Sequence, residues 1–342
     1  MSRFDVQVQF ITYGDASDRN WENELPYIKI LPIYERLNRP KSKILAFLQT
    51  LVIPWVFRNE LRQTDLLKTN QIWGGWVAVL SKWVFRKPLL VRCGYEYHDF
   101  CQKQGASRIY LIIVYWMSKF IYQNADLIHV AAQNDKKIIH KNFKIDKRKI
   151  NVRPNWINTD AFKPYPAVKK ERILFVGRLN QQKNISLLLN AISTTGIGLD
   201  IYGAGEESDK IVNIANKINV DVNFMGRATN DKMPAIYNQY PIYVLCSKYE
   251  GNPKTLLEAM SCGCAVIGTE VPGIREIIID GENGLLVPGN VTSLNTAIRG
   301  LLANKSLCQR LGANAREYIM NNNSMDHAIN KEYAVYQQLK KH

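Results

Sequence analysis

Residues 247–289 read SKYEGNPKTLLEAMSCGCAVIGTEVPGIREIIIDGENGLLVPG. The run IYVLCS at 242–247 has the β-branched and aromatic composition of a strand, and a turn built on Gly251 follows it. Residues 254–261 have helical spacing, and AVIGT at 265–269 is a second strand. Strand, turn, helix and strand in this order predict a βαβ unit, which belongs to a parallel sheet covered on both faces.

The same alternation extends outward from this unit. In the second half of the chain we predict strands at 172–177, 199–203 and 222–226 and helices at 185–193, 206–218 and 233–239. In the first half we predict strands at 6–12, 65–70, 88–94 and 126–131, helices at 76–85 and 108–122 and, at the end of the chain, a helix at 325–340. Residues 153–166 contain three prolines and indicate a linker between two α/β domains.

Length and composition narrow the class of protein. The chain has 342 residues, of which 46% are hydrophobic and 22% charged, which suits two globular domains and excludes disordered, collagen-like and disulfide-scaffold proteins. No apolar run reaches the about 20 residues of a membrane span. The N-terminal residues show no signal-peptide core and the six cysteines form no C-x-x-C pair, so we expect a cytoplasmic protein with reduced thiols and no zinc site.

Charge is concentrated in the first half of the chain. Residues 1–165 hold 26 Lys and Arg against 14 Asp and Glu, whereas residues 166–342 hold 19 against 16. A basic domain suits an anionic partner such as a phospholipid surface or a diphosphate-linked acceptor, although solubility alone is an equal explanation. Neither a helix-turn-helix nor an RNP-like signature is present, so we expect no nucleic-acid partner.

Two apolar stretches, 44–57 and 109–122, are flanked by Lys41, Lys43, Arg58 and Lys119. Such stretches are typical of amphipathic helices that lie in a membrane interface, and they predict docking on an anionic membrane surface. The alternative carries equal weight, because the core of an α/β domain also needs two such segments.

Two carboxylates lie in the stretch of residues 247–289. Glu250 follows a predicted strand and Glu258 lies eight residues later on the predicted helix. The glycine turn and the helix start between them expose N–H groups and form an anion site. A carboxylate also accepts hydrogen bonds from adjacent sugar hydroxyls. The alternative is a solvated Glu250 and a surface or capping Glu258.

Two cations follow another predicted strand. That strand ends in Gly177, and Arg178 and Lys183 come in the loop and the next helix start. Parallel sheets bind ligands at the carboxyl ends of their strands, where these cations can neutralise a diphosphate. The alternative is a pair of solvated surface cations. The turn Gly203-Ala204-Gly205 resembles half of a dinucleotide fingerprint and is as well explained as an ordinary strand–helix turn.

Taken together, the motifs FVGRL, KN, YGAG, FMG, SKYEGNPKTLLEAMSCG and GIREII occur in an order that resembles the family 4 glycosyltransferases, which are retaining enzymes of GT-B fold. The resemblance covers roughly residues 150–335. It implies two Rossmann-like domains facing a cleft, with the C-terminal helix crossing back to the first domain. On this basis we predict an acceptor-side domain at 1–155, a nucleotide-sugar domain at 156–324 and a crossover helix at 325–342.

The resemblance also implies roles for individual residues. Arg178 and Lys183 match the cations that hold the donor diphosphate and stabilise the departing nucleotide. Glu250 matches the carboxylate next to the donor sugar, and Glu258 matches the one that binds the ribose hydroxyls. The remaining donor-binding positions are Gly177, Gly251, Asn252, Pro253, Thr255 and Leu256. No D-x-D motif occurs, so we expect metal-independent chemistry without a cofactor.

The N-terminal half departs from the family pattern. The family opens with a strand and a glycine-rich loop ahead of anything like residues 6–12, so we expect the first βα unit to be absent or altered. Arg92 and His98 are the acceptor-side candidates, although His98 is also explained as a histidine of a surface loop. Cys264 stands where the family has proline, and we expect a packed thiol there.

The expected activity is transfer of a hexose-type sugar from a nucleotide diphosphate sugar to a hydroxyl of a glycan or a lipid-linked acceptor in surface polysaccharide assembly. One alternative is a nucleotide-sugar 2-epimerase on the same fold. Another is a transferase-like binding protein that has little or no activity.

Overall fold

In this computed structural model the described residues are Phe4, 6–25 and 27–340. The chain divides into two compact units. The first comprises Met1–Val130, Ile138–Asn151 and Lys331–His342, and the second comprises Ala131–Lys137 and Val152–Asn330. Both units are built of helices and parallel strands, as the sequence predicts.

The first unit contains two sheets. Strands β1 (Val8–Thr12) and β2 (Ile28–Pro32) pair in parallel, and β3 (Leu67–Lys68), β4 (Leu89–Cys93), β5 (Leu127–Val130) and β6 (Ile150–Val152) form a four-stranded sheet in that order. The helices are α1 (Lys43–Val56), α2 (Arg58–Gln63), α3 (Gly75–Phe85), α4 (Tyr97–Lys103), α5 (Arg108–Asn124) and α6 (Gln133–Phe143).

The sheet of the first unit is interrupted between β1 and β3. Both strands line a cavity of about 700 Å³, together with residues of the C-terminal helix. On the far side of this cavity, Lys68 of β3 donates to Glu332 at 2.6 Å and to the hydroxyl of Tyr336 at 2.7 Å. These bonds fix the end of the C-terminal helix to the four-stranded sheet.

Helices α1, α3 and α5 expose apolar side chains. Helix α3 packs against both of the others, and each buries one face. Their opposite faces are apolar and lie in solvent, with the exposed side chains Ile44, Leu45, Leu48, Val52, Trp55, Trp83, Val84, Ile109, Ile112, Ile113 and Trp116. Each of the segments 44–57 and 109–122 therefore packs only one of its faces into the core of the unit.

The second unit is a six-stranded sheet with helices. Its strands are β7 (Arg172–Val176), β8 (Gly198–Tyr202), β9 (Val222–Gly226), β10 (Ile242–Leu245), β11 (Ala265–Thr269) and β12 (Leu285–Val287). Its helices are α7 (Ile185–Ile192), α8 (Ser208–Lys217), α9 (Met233–Asn238), α10 (Lys254–Ser261), α11 (Pro272–Arg275), α12 (Val291–Ala303), α13 (Lys305–Asn322) and the start of α14 (Met325–Lys340).

The order of these strands in the sheet predicts where a ligand crevice lies. The sheet runs β12-β11-β10-β7-β8-β9 and every pairing is parallel. The chain therefore moves outward from β7 to β9 and then returns to place β10 on the other side of β7. The loops after β7 and β10 separate at this switch point, which is where open parallel sheets bind their ligands.

Candidate active site

A lysine and a glutamate from different loops meet at the switch point. The Nζ atom of Lys183 donates to Oε1 of Glu250 at 2.5 Å, and Oγ of Ser247 donates to the same oxygen at 2.6 Å. The side chains are only 15% and 7% exposed, respectively. The explanations of Lys183 as a solvated surface cation and of Glu250 as a solvated carboxylate are therefore wrong.

Local hydrogen bonds explain why the two loops meet. The loop after β7 ends in a 3₁₀ turn, Gln181–Lys183, which Asn180 caps by accepting from the N–H of Lys183 at 3.3 Å. Gln182 then joins the two loops, because its side chain donates to the carbonyl of Tyr249 at 2.9 Å and its own carbonyl accepts from the N–H of Lys248 at 2.8 Å. The Lys183–Glu250 pair is thus held by backbone on both sides.

The start of α10 has the uncapped geometry expected of the predicted anion site. Pro253 precedes the helix, and among the described residues no side chain caps its first turn. The N–H groups of Thr255 and Leu256 belong to that turn and have no partner within the helix. The helix dipole adds partial positive charge at the same point. The hydroxyl of Tyr243 donates to Oγ1 of Thr255 at 2.9 Å, which leaves the N–H groups available to a phosphate.

Glu258 lies on the inner face of α10. It is 5% exposed, and Oε2 accepts a hydrogen bond from the hydroxyl of Tyr237 at 3.0 Å. Burial raises the pKa of this carboxyl, and the Tyr237 hydrogen bond opposes that shift. The explanation of Glu258 as a surface or capping residue is wrong, because a surface carboxylate is neither desolvated nor bonded to a buried tyrosine.

Arg178 stands apart from the other predicted donor residues. Its side chain is exposed, and no hydrogen bond or ion pair joins it to another side chain within the described part of the chain. Gly177, next to it, approaches the Lys183 side chain: a Cβ at Gly177 would lie 3.6 Å from Cε of Lys183. The structure brings Lys183 and Glu250 together and leaves Arg178 at the rim of the same loop.

Several positioning residues escaped the sequence analysis. The N–H of Asn155 donates to Oδ1 of Asn252 at 2.9 Å, and its side chain donates to the carbonyl of Asn252 at 2.7 Å. Gly273, in α11, approaches the loop of Glu250 so closely that a Cβ there would lie 2.1 Å from the Gly251 carbonyl oxygen. In the sequence, Asn155 is marked only by the proline before it, and so is Gly273. Both dipeptides occur in many loops and do not predict these contacts.

The Gly203-Ala204-Gly205 turn is part of the same arrangement. A Cβ at Gly203 would lie 1.9 Å from the carbonyl oxygen of Gly177, and one at Gly205 would lie 2.1 Å from that of Leu179. The turn therefore packs against the loop that carries Arg178. It supports the donor loop by close backbone contact.

The acceptor-side candidates occupy two different settings in the first unit. The backbone of Arg92 bonds to Thr69, whose Oγ1 accepts from the Arg92 N–H at 3.1 Å. His98 lies in the first turn of α4, and its ring packs edge-on against Tyr115 and Phe143 at 5.7 and 6.3 Å. Burial lowers its pKa. The description of His98 as a surface-loop histidine is wrong, because it is half-buried on a helix among aromatic rings.

The cysteines are as expected. All six are free, and the Sγ atom of Cys264 donates to backbone carbonyls of Tyr237 and Tyr240 at 3.4 and 3.5 Å in the core. Burial raises the pKa of this thiol to about 12. Cys264 is therefore a packed thiol.

Comparison with known proteins gives matches on both halves of the chain. The profile described as Glycosyltransferase Family 4 matches residues 1–161, and that described as Glycosyl transferases group 1 matches residues 157–318. An uncharacterized glycosyltransferase of Methanocaldococcus jannaschii is 34% identical over 147 residues, which are 42% of this chain and 42% of the relative.

A second relative is the N-acetylgalactosamine-N,N'-diacetylbacillosaminyl-diphospho-undecaprenol 4-alpha-N-acetylgalactosaminyltransferase of Campylobacter jejuni. It is 28% identical over 193 residues, which are 54% of this chain and 52% of the relative. The chain spans about half the length of these curated relatives.

Solved structures resemble the whole chain. Alr3699/HepE of Anabaena in complex with UDP has a TM-score of 0.80 at 15% identity, covering 96% of this chain and 92% of that one. Sucrose-phosphate synthase of Thermosynechococcus elongatus has a TM-score of 0.77 at 23% identity, covering 92% and 84%. These likenesses show the GT-B fold. The two adjoining profile matches together cover residues 1–318 and show that the chain belongs to the group 1, family 4 glycosyltransferases.

Proposed function

We propose that this protein transfers a hexose-type sugar, with retention of anomeric configuration, from a nucleotide diphosphate sugar to a hydroxyl of a glycan or lipid-linked acceptor. The observation that carries the proposal is the Lys183–Glu250 pair beside the uncapped start of α10. A cation, a carboxylate and open N–H groups at one sheet edge match a donor that carries both a diphosphate and a sugar.

Each residue has a distinct part in this proposal. Lys183 and Arg178 neutralise the charge that develops on the leaving diphosphate, and the N–H groups of Thr255 and Leu256 bind its oxygens. Glu250 faces the sugar, and Glu258 accepts from the ribose hydroxyls. The related Anabaena structures, which hold UDP with glucose or UDP-glucose, support a donor of this class.

The bond changes need no protein base. The bond from the anomeric carbon to the diphosphate oxygen breaks, and a bond to the acceptor oxygen forms on the same face of the sugar. The acceptor proton passes to the departing diphosphate oxygen. Because the cations and the helix start carry the leaving charge, we propose a reaction without metal or cofactor, in which a chelator leaves turnover unchanged.

The acceptor class is proposed from chemistry and from relatives. The Campylobacter relative is named for a diphospho-undecaprenol substrate, and a diphosphate-linked acceptor suits the excess of cations in residues 1–165. Surface polysaccharide assembly at the cytoplasmic face of a membrane is the setting that fits this acceptor. Within the described residues, no helix has both the length and the apolar character needed to cross a bilayer.

An anionic membrane surface is the further partner that we propose. The outer faces of α1, α3 and α5 are apolar and exposed, and cations flank α1 and α5. Lys119 sits 4.9 Å from the ring of Trp116, which pairs a cation with an interfacial aromatic side chain. This exposure favours membrane docking over a role in the core alone.

The test is a panel of nucleotide diphosphate sugars, with release of nucleotide diphosphate as the readout and the anomeric configuration of the product determined by NMR. Release that depends on an acceptor and is lost in Glu250→Gln is expected. Epimerised donor without an acceptor would support the 2-epimerase instead. Donor binding without any release across many acceptors would support the binding protein.

A further inference from the structure

The first unit contains a second cavity, between α1 and α3, with a volume of about 350 Å³. Five of its twelve lining residues are aromatic, namely Tyr13, Tyr34, Phe47, Trp73 and Trp76. The rings support one another, because Trp76 lies 5.5 Å from Trp73 and 5.6 Å from Phe47 between ring centroids. Its volume falls in the range of ligand pockets, whose walls are typically apolar and aromatic.

The cavity lies where a parallel sheet binds ligands. Tyr13 directly follows β1, and Tyr34 belongs to the 3₁₀ turn Ile33–Glu35 that directly follows β2. Both side chains therefore project from the carboxyl ends of neighbouring parallel strands. A ligand in this cavity sits at the functional edge of the first unit's sheet.

The interior of the cavity offers little to a sugar. Nε1 of Trp76 donates to Oγ1 of Thr50 at 2.8 Å, and the Thr50 hydroxyl donates to the carbonyl of Phe47 at 2.6 Å, so these polar groups already have partners. A buried sugar needs a partner for each hydroxyl, and an unpaired hydroxyl weakens binding. A hydrocarbon chain has no such requirement. Partial burial raises the pKa of Tyr13.

Cations stand at the mouth of the cavity. Lys43 lines it, and the Arg39 guanidinium lies 5.2 Å from the ring centroid of Tyr34. Segment 36–43, RLNRPKSK, contains four cations and no carboxylate. Arg36 pairs with Glu60, whereas Arg39, Lys41 and Lys43 form no ion pair with the residues that the structure describes. An anionic group beside the mouth would meet the charges of Arg39 and Lys43.

We infer that this cavity holds the hydrocarbon chain of a lipid phosphate, with Arg39 and Lys43 at the phosphate. The inference rests on the proposed function, since it selects the lipid-linked acceptor from the two acceptor classes named there. The aromatic side chains, of which Tyr13, Phe47 and Trp73 are half-exposed, cover the chain, and the cations complement the charge at its end. The exposed apolar face of α1 adjoins the cavity, so a chain in a bilayer interface has a continuous apolar route to it.

The experiment measures binding to the full-length chain by calorimetry, with no donor present. The ligands are farnesyl phosphate below its micelle concentration, farnesol and inorganic phosphate. We expect farnesyl phosphate to bind at least about tenfold more tightly than either of the others. Equal binding of inorganic phosphate would overturn the proposal, because the chain would then contribute nothing.

Two pairs of variants locate the site. Ala46 lines the cavity and Ile44 does not, so Ala46→Trp should weaken farnesyl phosphate binding about tenfold or more and Ile44→Trp should not. Lys43→Gln should bring the affinity for farnesyl phosphate towards that for farnesol, whereas Arg58→Gln, at the start of α2, should leave it unchanged. Circular dichroism melting confirms that each variant is folded. Wild-type affinity in both Ala46→Trp and Lys43→Gln would overturn the proposal.

The other occupants of an apolar cavity are distinguishable. If a second copy of the chain filled it, sedimentation would show a dimer that Ala46→Trp dissociates, and the proposal would fall. If Ile44→Trp weakened binding as much as Ala46→Trp, the ligand would be adsorbing to the α1 surface, which also overturns it. Because no donor is used, loss of the proposed transferase activity would leave this result standing, and the reverse also holds.

Discussion

The Lys183 ammonium has three donor hydrogens and donates one to Glu250. The other two can be donated to oxygens of a diphosphate. Arg178 lies exposed on the same loop with no side-chain partner among the described residues, so its five donors are available. Charge on the leaving group is greatest in the transition state, and both cations therefore act more on rate than on ground-state binding.

Replacing these cations tests that division. Arg178→Ala and Lys183→Ala should each lower kcat by about 10²–10³, which corresponds to about 2–4 kcal/mol, with a smaller effect on nucleotide binding. Lys248→Ala removes a neighbouring exposed cation and should leave both quantities unchanged. Normal turnover in both test variants would show that Arg178 and Lys183 do not take part in the reaction.

Replacing Glu250 and replacing Glu258 should change different kinetic constants. Glu250→Gln keeps the shape of the side chain and removes the charge beside the sugar, so we expect a large fall in kcat with the fold intact. Glu258→Gln should chiefly raise KM for the donor, because a ribose hydroxyl changes little during reaction. Steady-state kinetics with varied donor separates the two, and small equal effects would contradict the distinct roles.

Glu258 also makes a stability prediction. Burial raises its pKa, so the folded state binds the proton more tightly than the unfolded state does. The stabilising effect is complete below the ordinary carboxyl pKa and is lost as pH rises through the raised value. Glu258→Gln should therefore melt at a higher temperature than the parent at pH 7, with the difference shrinking towards pH 4. Melting curves across this range check it, and a lower melting temperature at pH 7 would contradict it.

At the scale of elements, close backbone contacts position the donor loops. Helix α11 presses on the loop of Glu250 at Gly273, and the turn after β8 presses on the loop of Arg178 at Gly203. A side chain at either position would collide with a carbonyl oxygen and displace the loop. The glycines thus transmit the geometry of the sheet to the residues that face the donor.

Gly273→Ala tests this contact. The added methyl would lie 2.1 Å from the carbonyl oxygen of Gly251, so the loop must move and turnover should fall by at least about tenfold, since small displacements at an active site are costly. Gly289→Ala is the matched control, because nothing lies within 4 Å of its added methyl. Full activity in Gly273→Ala with an unchanged melting temperature would show that the loop is free to relax.

The elements of the second unit up to β11 were predicted, whereas β12, α11, α12 and α13 were not, and the prediction of the first unit was less complete. Strand β11 has the predicted bounds, because a buried parallel strand reads as a continuous apolar run between turns. The exposed edge strand β9 and helix α10 also have the predicted bounds, since turn residues mark both ends of each. In the first unit β3 is only two residues long, and β2 was missed because IKILP lacks the alternation of a half-buried strand. Helices α1 and α5 face both core and solvent with apolar side chains, so no hydrophobic stripe marks their inner face.

Some residues of the candidate site were predicted from the sequence and others were not. Lys183, Glu250 and Glu258 lie at the ends of predicted elements, where the parallel sheet dictates a meeting point. Asn155 and Gly273 act across the fold through contacts between distant parts of the chain. Their roles depend on distances of closest approach, which no pattern of residue types encodes.

On the scale of the whole molecule, charge and exposed apolar surface coincide. Residues 1–165 hold 26 Lys and Arg against 14 Asp and Glu, and this part of the chain also carries the exposed faces of α1, α3 and α5. An apolar face alone would favour aggregation, and a basic face alone would favour any polyanion. Their combination is the property of proteins that bind an anionic bilayer, with apolar side chains inserted and cations among the headgroups.

Sedimentation with liposomes tests this combination. We expect the protein to pellet with acidic liposomes at low salt, to remain in solution with neutral ones, and to be released at high salt, because each cation near the surface contributes about 1 kcal/mol that salt screens. The double variant Trp55→Ser/Trp116→Ser removes side chains that are 55% and 60% exposed on α1 and α5 and should weaken binding to acidic liposomes. Trp21→Ser is the matched control, since Trp21 is 58% exposed and lies outside these helices. If the protein stays in the supernatant with acidic liposomes at low salt, the membrane is not its partner and the charge serves a soluble anionic acceptor or solubility.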